Sequence, residues 1–189
     1  MIDKKLVLEN YKRFCALDGS EYIASEFALE IILKIINKYQ VNDVLELGLG
    51  IGSISDTVFK YSKLTNKTIH YTGTEKNEFC LHALKNYVED YDKIELYSEL
   101  NEIKNKKFDF IIIDGYDDTL KGIVSYCKKN TIIFIEGDRQ GQTNTIVDIF
   151  PKHKYVNVIS LAKNKPYAHG ICETTHYVGG QINIYQSNL

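Results

Sequence analysis

The stretch Val44-Leu-Glu46-Leu-Gly48-Leu-Gly50-Ile-Gly52-Ser53 decides how this chain reads. Its first half closes a strand-like run over 41–47, and its second half places a glycine at every other position. Glycines there let the backbone turn tightly and approach a ligand closely. The helix that follows then presents its N-terminal amides. Strand, glycine turn and helix together form the first half of a βαβ unit.

The same alternation continues outward. Short β-branched runs at 41–47, 68–74, 93–97, 108–113 and 131–135 read as strands. Segments with helical spacing lie between them at 54–61, 77–88, 119–126 and 143–150. This pattern predicts a parallel sheet covered on both faces. Phe108-Asp-Phe-Ile-Ile-Ile113 is almost wholly apolar, as a central strand buried on both sides should be. Upstream, 3–39 reads as two helices, the second carrying a stripe of Leu29, Ile32, Leu33 and Ile36. Downstream, 155–161 and 177–185 are strand-like with no helix between, which predicts an antiparallel pair at one edge. The expected fold is a Rossmann-like three-layer α/β sandwich with a seven-stranded, mostly parallel sheet, a terminal antiparallel hairpin and N-terminal helices. The 189 residues read as one domain, 1–189, with 1–39 as its helical N-terminal segment.

Composition narrows the function. Lys and Arg number 23 against 25 Asp and Glu, so the net charge of −2 leaves no basic surplus for gripping nucleic acid. Cys15, Cys80, Cys127 and Cys172 are dispersed, which suits neither a zinc site nor a disulfide framework. They read as free thiols in a reducing compartment. No apolar stretch approaches a membrane span or a signal-peptide core, so a soluble, cytoplasmic protein is expected.

The ligand is indicated by two acids. A dinucleotide fingerprint runs GxGxxG and serves a pyrophosphate. Here the glycines run GxGxG, and Glu46 stands two positions before the first, where its carboxylate would repel phosphate. It suits a ligand with an ammonium group and a sulfonium centre, as in S-adenosylmethionine. Glu75, in Tyr71-Thr-Gly73-Thr-Glu75-Lys-Asn77, ends the second strand at about the spacing of a ribose-binding acid. Its carboxylate would accept charge-assisted hydrogen bonds from both ribose hydroxyls.

These residues resemble the class I S-adenosylmethionine-dependent methyltransferases over roughly 20–186. Gly19-Ser-Glu-Tyr-Ile23 ahead of the glycine loop, with Glu75-Lys-Asn77 after it, is most similar to the small catechol-type O-methyltransferases. The resemblance places Glu46 near the methionine ammonium and Gly48, Gly50, Gly52 and Ser53 around the methionine portion. It places Glu75 and Lys76 at the ribose, Ser98 or Glu99 beside the adenine, and Asp114 at the strand end beneath the cofactor.

A second acidic group gathers where the fourth and fifth strands end, in Asp114-Gly-Tyr-Asp117-Asp118 and Glu136-Gly-Asp138-Arg139. In a parallel sheet, ligands bind beyond the carboxyl ends near the topological switch point. Asp114, Glu136 and Asp138 should therefore converge on the transfer site, and three carboxylates ionise together only against a cation or shared protons. Two chemistries follow. By resemblance, Mg²⁺ bound by Asp114, Glu136 and Asp138 would acidify a hydroxyl acceptor. Alternatively a carboxylate, Asp114 or Asp138, acts directly as base or orients the acceptor. The metal-dependent pattern is incomplete: Asp117 and Asp118 stand where a lysine is usual, and Gly137 separates the fifth-strand acids. Asp117 and Asp118 read better as helix N-caps.

His169 and His176, in the loop between the last two strands, are further candidates for the base. Arg139 would pair either with an anionic acceptor or with its acidic neighbours. The expected function is methylation of a small hydroxyl-bearing metabolite. N-methylation is less favoured, because Asp114-Gly-Tyr replaces the Asn/Asp-Pro-Pro-aromatic signature. A non-catalytic cofactor-binding module is the first alternative and an NAD-dependent oxidoreductase the second. The N-terminal helices offer either a homodimer surface or a lid.

Overall fold

The computed structural model describes residues 4–152, 154–161 and 180–187. At its centre β1 (Asp43–Leu47) and β4 (Phe108–Ile113) run parallel and in register, Val44 against Phe110 through Leu47 against Ile113. Both strands are buried on both faces, and their side chains alternate between two cores. Val44, Phe110 and Ile112 join one apolar cluster; Leu45, Leu47, Ile111 and Ile113 join the other.

The sheet grows outward from this pair. β2 (His70–Thr74) and β3 (Ile94–Tyr97) add on one side; β5 (Cys127–Glu136), β7 (Gln181–Gln186) and β6 (Lys154–Ile159) add on the other. The order is β3-β2-β1-β4-β5-β7-β6, with only β7 antiparallel to its neighbours. The expected seven-stranded sheet with an antiparallel end is therefore present. The order reverses between β1 and β4, which opens a crevice at their carboxyl ends.

Helices follow the sequence periodicity. α2 (Glu26–Lys38) is capped by Ser25, whose side chain accepts from the Ala28 amide, and buries Leu29, Ile32, Leu33 and Ile36 as its stripe requires. α3 (Ser53–Thr65) leaves the glycine loop, and α4 (Glu78–Tyr87) is capped by Asn77. α5 (Gln140–Ile149) follows β5. The helix expected at 119–126 is a 3-10 turn, Leu120–Tyr126, with Leu120 and Ile123 buried three residues apart as that geometry demands. The expected Asp117 and Asp118 caps are not formed: Thr119 is the N-cap with no side chain capping the turn, and Asp117 accepts from the Thr119 amide itself at 2.7 Å. The chain enters β5 directly at Cys127, four residues ahead of the expected start.

α1 (Lys4–Cys15) is locked onto α3 by a charge network. Asp56, fully buried, accepts from Arg13 Nη1 at 2.9 Å, Lys60 Nζ at 2.8 Å and the Glu89 amide at 3.1 Å. Removing one partner of a buried pair strands the rest. Asp56→Ala should lower unfolding free energy by about 3 kcal/mol in denaturant titration. Lys34→Ala, which breaks the solvent-exposed Lys34–Glu30 pair, should change it by less than about 0.5 kcal/mol.

Candidate cofactor site

The glycine loop is shaped by the crowding of two backbones. Gly48 has φ of 86°, and a β-carbon there would stand 2.5 Å from the Gly115 Cα at the end of β4. Its amide and that of Leu49 both donate to Thr74 O, at 3.1 and 3.0 Å, which ties the loop to the end of β2. Gly50, with φ of 53°, turns its amide to Glu75 Oε2 at 2.8 Å. Glu75 Oε1 accepts from the Lys76 and Asn77 amides at 2.9 and 2.8 Å. The ribose-acid candidate is thus clamped onto the glycine loop.

A cavity of about 710 Å³ opens beside this clamp. Of the residues singled out by sequence, Gly50, Ser53 and Asp114 line it. Gly52 packs instead against Val88 and Leu84 at the end of α4. Lys76 pairs with Glu99 at 3.2 Å on the neighbouring strand end, and the Ser98 amide donates to Glu102 at 2.9 Å. The far wall was not legible as a site in the sequence. It comes from the linker between α1 and α2, including Gly19, Tyr22 and Ile23, and from Phe79 on α4. Its trace in the sequence is Gly19, where a β-carbon would strike the Phe79 ring at 2.6 Å.

Beneath the loop Glu46 is fully buried, its Oε2 accepting from the Tyr71 hydroxyl. Oε1 is bonded to no other protein atom among the described residues. Burial, reinforced by the charges of Asp114 and Glu75, pushes this carboxyl well above 4.5. A buried acceptor without a donor is costly unless a ligand supplies one.

Asp114 and Glu136 meet at the ends of β4 and β5, as expected. The two carboxyls are near enough to influence each other's charge, and the Ser25 amide donates to Glu136 Oε1 at 3.5 Å. Arg139 Nη2 donates to Asp114 Oδ1 at 2.9 Å and to the Asp114 carbonyl, while its Nε donates to the Glu136 carbonyl at 2.9 Å. Burial raises Asp114 to about 6 against the pull of Arg139, and burial with the Asp114 charge raises Glu136 to about 8. Asp138 is exposed and does not join them, because Gly137, at φ of 74°, turns the chain between the two acids. Among the described residues, no three His, Cys, Asp or Glu side chains gather as a metal site. His169, His176 and Cys172 lie outside the described residues.

Comparison with known proteins follows the same architecture. An O-methyltransferase from Bacillus cereus in complex with SAH superposes with a TM-score of 0.67 at 13% identity, over 97% of this chain and 91% of that one. The O-methyltransferase TomG from Streptomyces achromogenes, in complex with SAM, gives 0.64 at 10% identity, over 97% and 90%. A SAH-bound methyltransferase from Podospora anserina gives 0.63 at 12%, over 97% and 88%. The fold is that of the class I S-adenosylmethionine-dependent methyltransferases. No family model matches the chain, and no curated protein matches it in sequence. Within this methyltransferase fold, the described residues include no helix long and apolar enough to cross a membrane.

Glu136 gives the site a pH signature. An acid raised in the folded state loses its proton first in the unfolded chain, so stability falls as pH rises from 4.5 toward about 8. Glu136→Gln should flatten that decline and be more stable than the parent near the upper end by roughly 2 kcal/mol. Denaturant unfolding across the range checks this; an unchanged slope would contradict it. Gly48→Ala, forced into Gly115 at positive φ, should cost about 2 kcal/mol or more in the same assay.

Proposed function

We propose that the chain is an S-adenosylmethionine-dependent methyltransferase acting on the oxygen of a small hydroxyl-bearing acceptor. One observation carries the reading. Glu75, an acid at the end of β2, is clamped to Gly50 in the glycine loop, beside a cavity that Asp114 lines at the switch point. The orphaned Glu46 Oε1 fits a ligand bearing a positive group. The bound cofactor supplies a methyl group on a positively charged sulfur.

The chain's own residues then have separable tasks. A carboxylate accepts about four hydrogen bonds. Glu75 takes three from backbone amides, which leaves acceptor capacity for about one ribose hydroxyl. Glu46 receives the ammonium group beneath the loop. Glu99, held by Lys76, borders the adenine with Ser98. Tyr22 and Phe79, both exposed, offer aromatic faces at the rim of the cavity. Asp114, which lines the cavity and is held by Arg139, is the candidate that orients the acceptor hydroxyl and receives its proton. Asp138 is exposed and His169 lies outside the described residues, so neither has comparable support.

Calorimetric titration with S-adenosylmethionine, S-adenosylhomocysteine and NAD tests the reading. Saturable binding of the two sulfur nucleotides is expected, with none for NAD. Glu75→Ala should weaken it about 10- to 100-fold, the worth of lost charge-assisted hydrogen bonds. No binding of either sulfur nucleotide would overturn the proposal. Binding with no methyl transfer to any of a panel of hydroxyl acceptors would leave a cofactor-binding module.

A further inference from the structure

We infer that Arg139 takes the place of a divalent cation between the ends of β4 and β5, so that the acceptor end of the cleft works on a fixed guanidinium charge without a metal ion. The inference deepens the methyltransferase reading and rests on it for the identity of the acceptor. Its electrostatic content stands by itself.

The first support is position. Arg139 spans both strand ends, with Nε on the Glu136 carbonyl at 2.9 Å and Nη2 on the Asp114 carbonyl and Oδ1, the latter also at 2.9 Å. A metal at this point would need those same oxygens. A guanidinium stays charged at every accessible pH and holds its donors in a rigid plane, so it is a permanent replacement.

The second support is the state of the donors. A hard divalent cation takes ionised carboxylates turned toward it at roughly 2.1–2.6 Å. Here Asp114 Oδ1 and the Asp114 carbonyl are both taken by Arg139 Nη2, and the Glu136 carbonyl by its Nε. Glu136 is further held by the Ser25 amide at the start of α2. The third acid expected from sequence, Asp138, is turned away into solvent by Gly137. What returns over β4 is the next residue, Arg139.

The third support is what the guanidinium retains. The bonds described use Nε and Nη2 only, and the Arg139 side chain is 30% exposed beside Asp114, which lines the cavity. Nη1 is thus the donor left over, next to a cavity-lining residue, for an acceptor oxygen bearing negative charge, such as a phenolate, enolate or carboxylate. Planar charge-assisted recognition of this kind positions an oxygen without a metal.

Manganese, a paramagnetic stand-in for magnesium, provides the test. Electron paramagnetic resonance of MnCl2 with the wild type, alone and with S-adenosylhomocysteine, should show only free ion up to about 1 mM, the weak limit of protein sites for such cations. Arg139→Met should uncover the oxygens and create a saturable site, which Glu136→Gln in the same background should abolish. Saturable binding by the wild type that Asp114→Asn removes would overturn the inference. So would a folded Arg139→Met that binds none. If Arg139→Met does not fold, Arg139→Lys keeps the charge and should bind no manganese; a site there would also overturn it. Calorimetry with S-adenosylhomocysteine on the same samples separates the two claims. Its failure removes the methyltransferase reading, while the manganese signal alone judges the replacement of the cation.

Discussion

The backbones of Gly48 and Gly115 pass so closely at the ends of β1 and β4 that neither position has room for a β-carbon. That close passage sets the rest of the site. It lets the loop after β1 fold back onto Thr74 at the end of β2, which brings the Gly50 amide to Glu75. On the other side it fixes Asp114, whose amide donates to Leu47 O at 3.0 Å, immediately beside the loop. Three strand ends are thereby held around one cavity at the point where the strand order reverses.

Charge is the second constraint. Glu46, Asp114 and Glu136 are acids crowded into a poorly solvated crevice, and such a group is tolerated only with protons, donors or a cation supplied. The chain supplies each differently. Tyr71 donates to Glu46, the Ser25 amide donates to Glu136, and Arg139 sets its charge against Asp114. Among the described residues Glu46 Oε1 stays buried without a hydrogen-bond partner, two positions before the first glycine of the loop.

Much of this was legible in the sequence because it depends on local pattern. The continuous apolar run of 108–113, the helical stripe of α2 and the glycine spacing after β1 each follow from short-range geometry. The strand-like runs at the end of the chain likewise gave the antiparallel edge, although the 177–185 segment is described only from Gln181 on. What was not legible depends on contacts distant in sequence. The linker at 17–23 becomes a cavity wall only because α1 docks on α3 through Asp56, with partners as far away as Arg13 and Glu89. The separation of Asp138 from Glu136 was visible as Gly137, but its consequence was not. A left-handed glycine redirects the chain, and so Arg139 reaches Asp114 in place of the second acid. The turn at 120–126 has the apolar spacing of both helix types, and direct entry into β5 leaves it as a 3-10 turn.

The central claim is that a sulfur nucleotide seats on the loop held by the Gly48–Gly115 passage. Amide hydrogen exchange with and without S-adenosylhomocysteine tests this most directly. The account predicts added protection in 48–53, at 75–77 and around 114–116, with β6 at the far edge of the sheet unchanged. Protection confined to other parts of the molecule, or no change at saturating nucleotide, would contradict it.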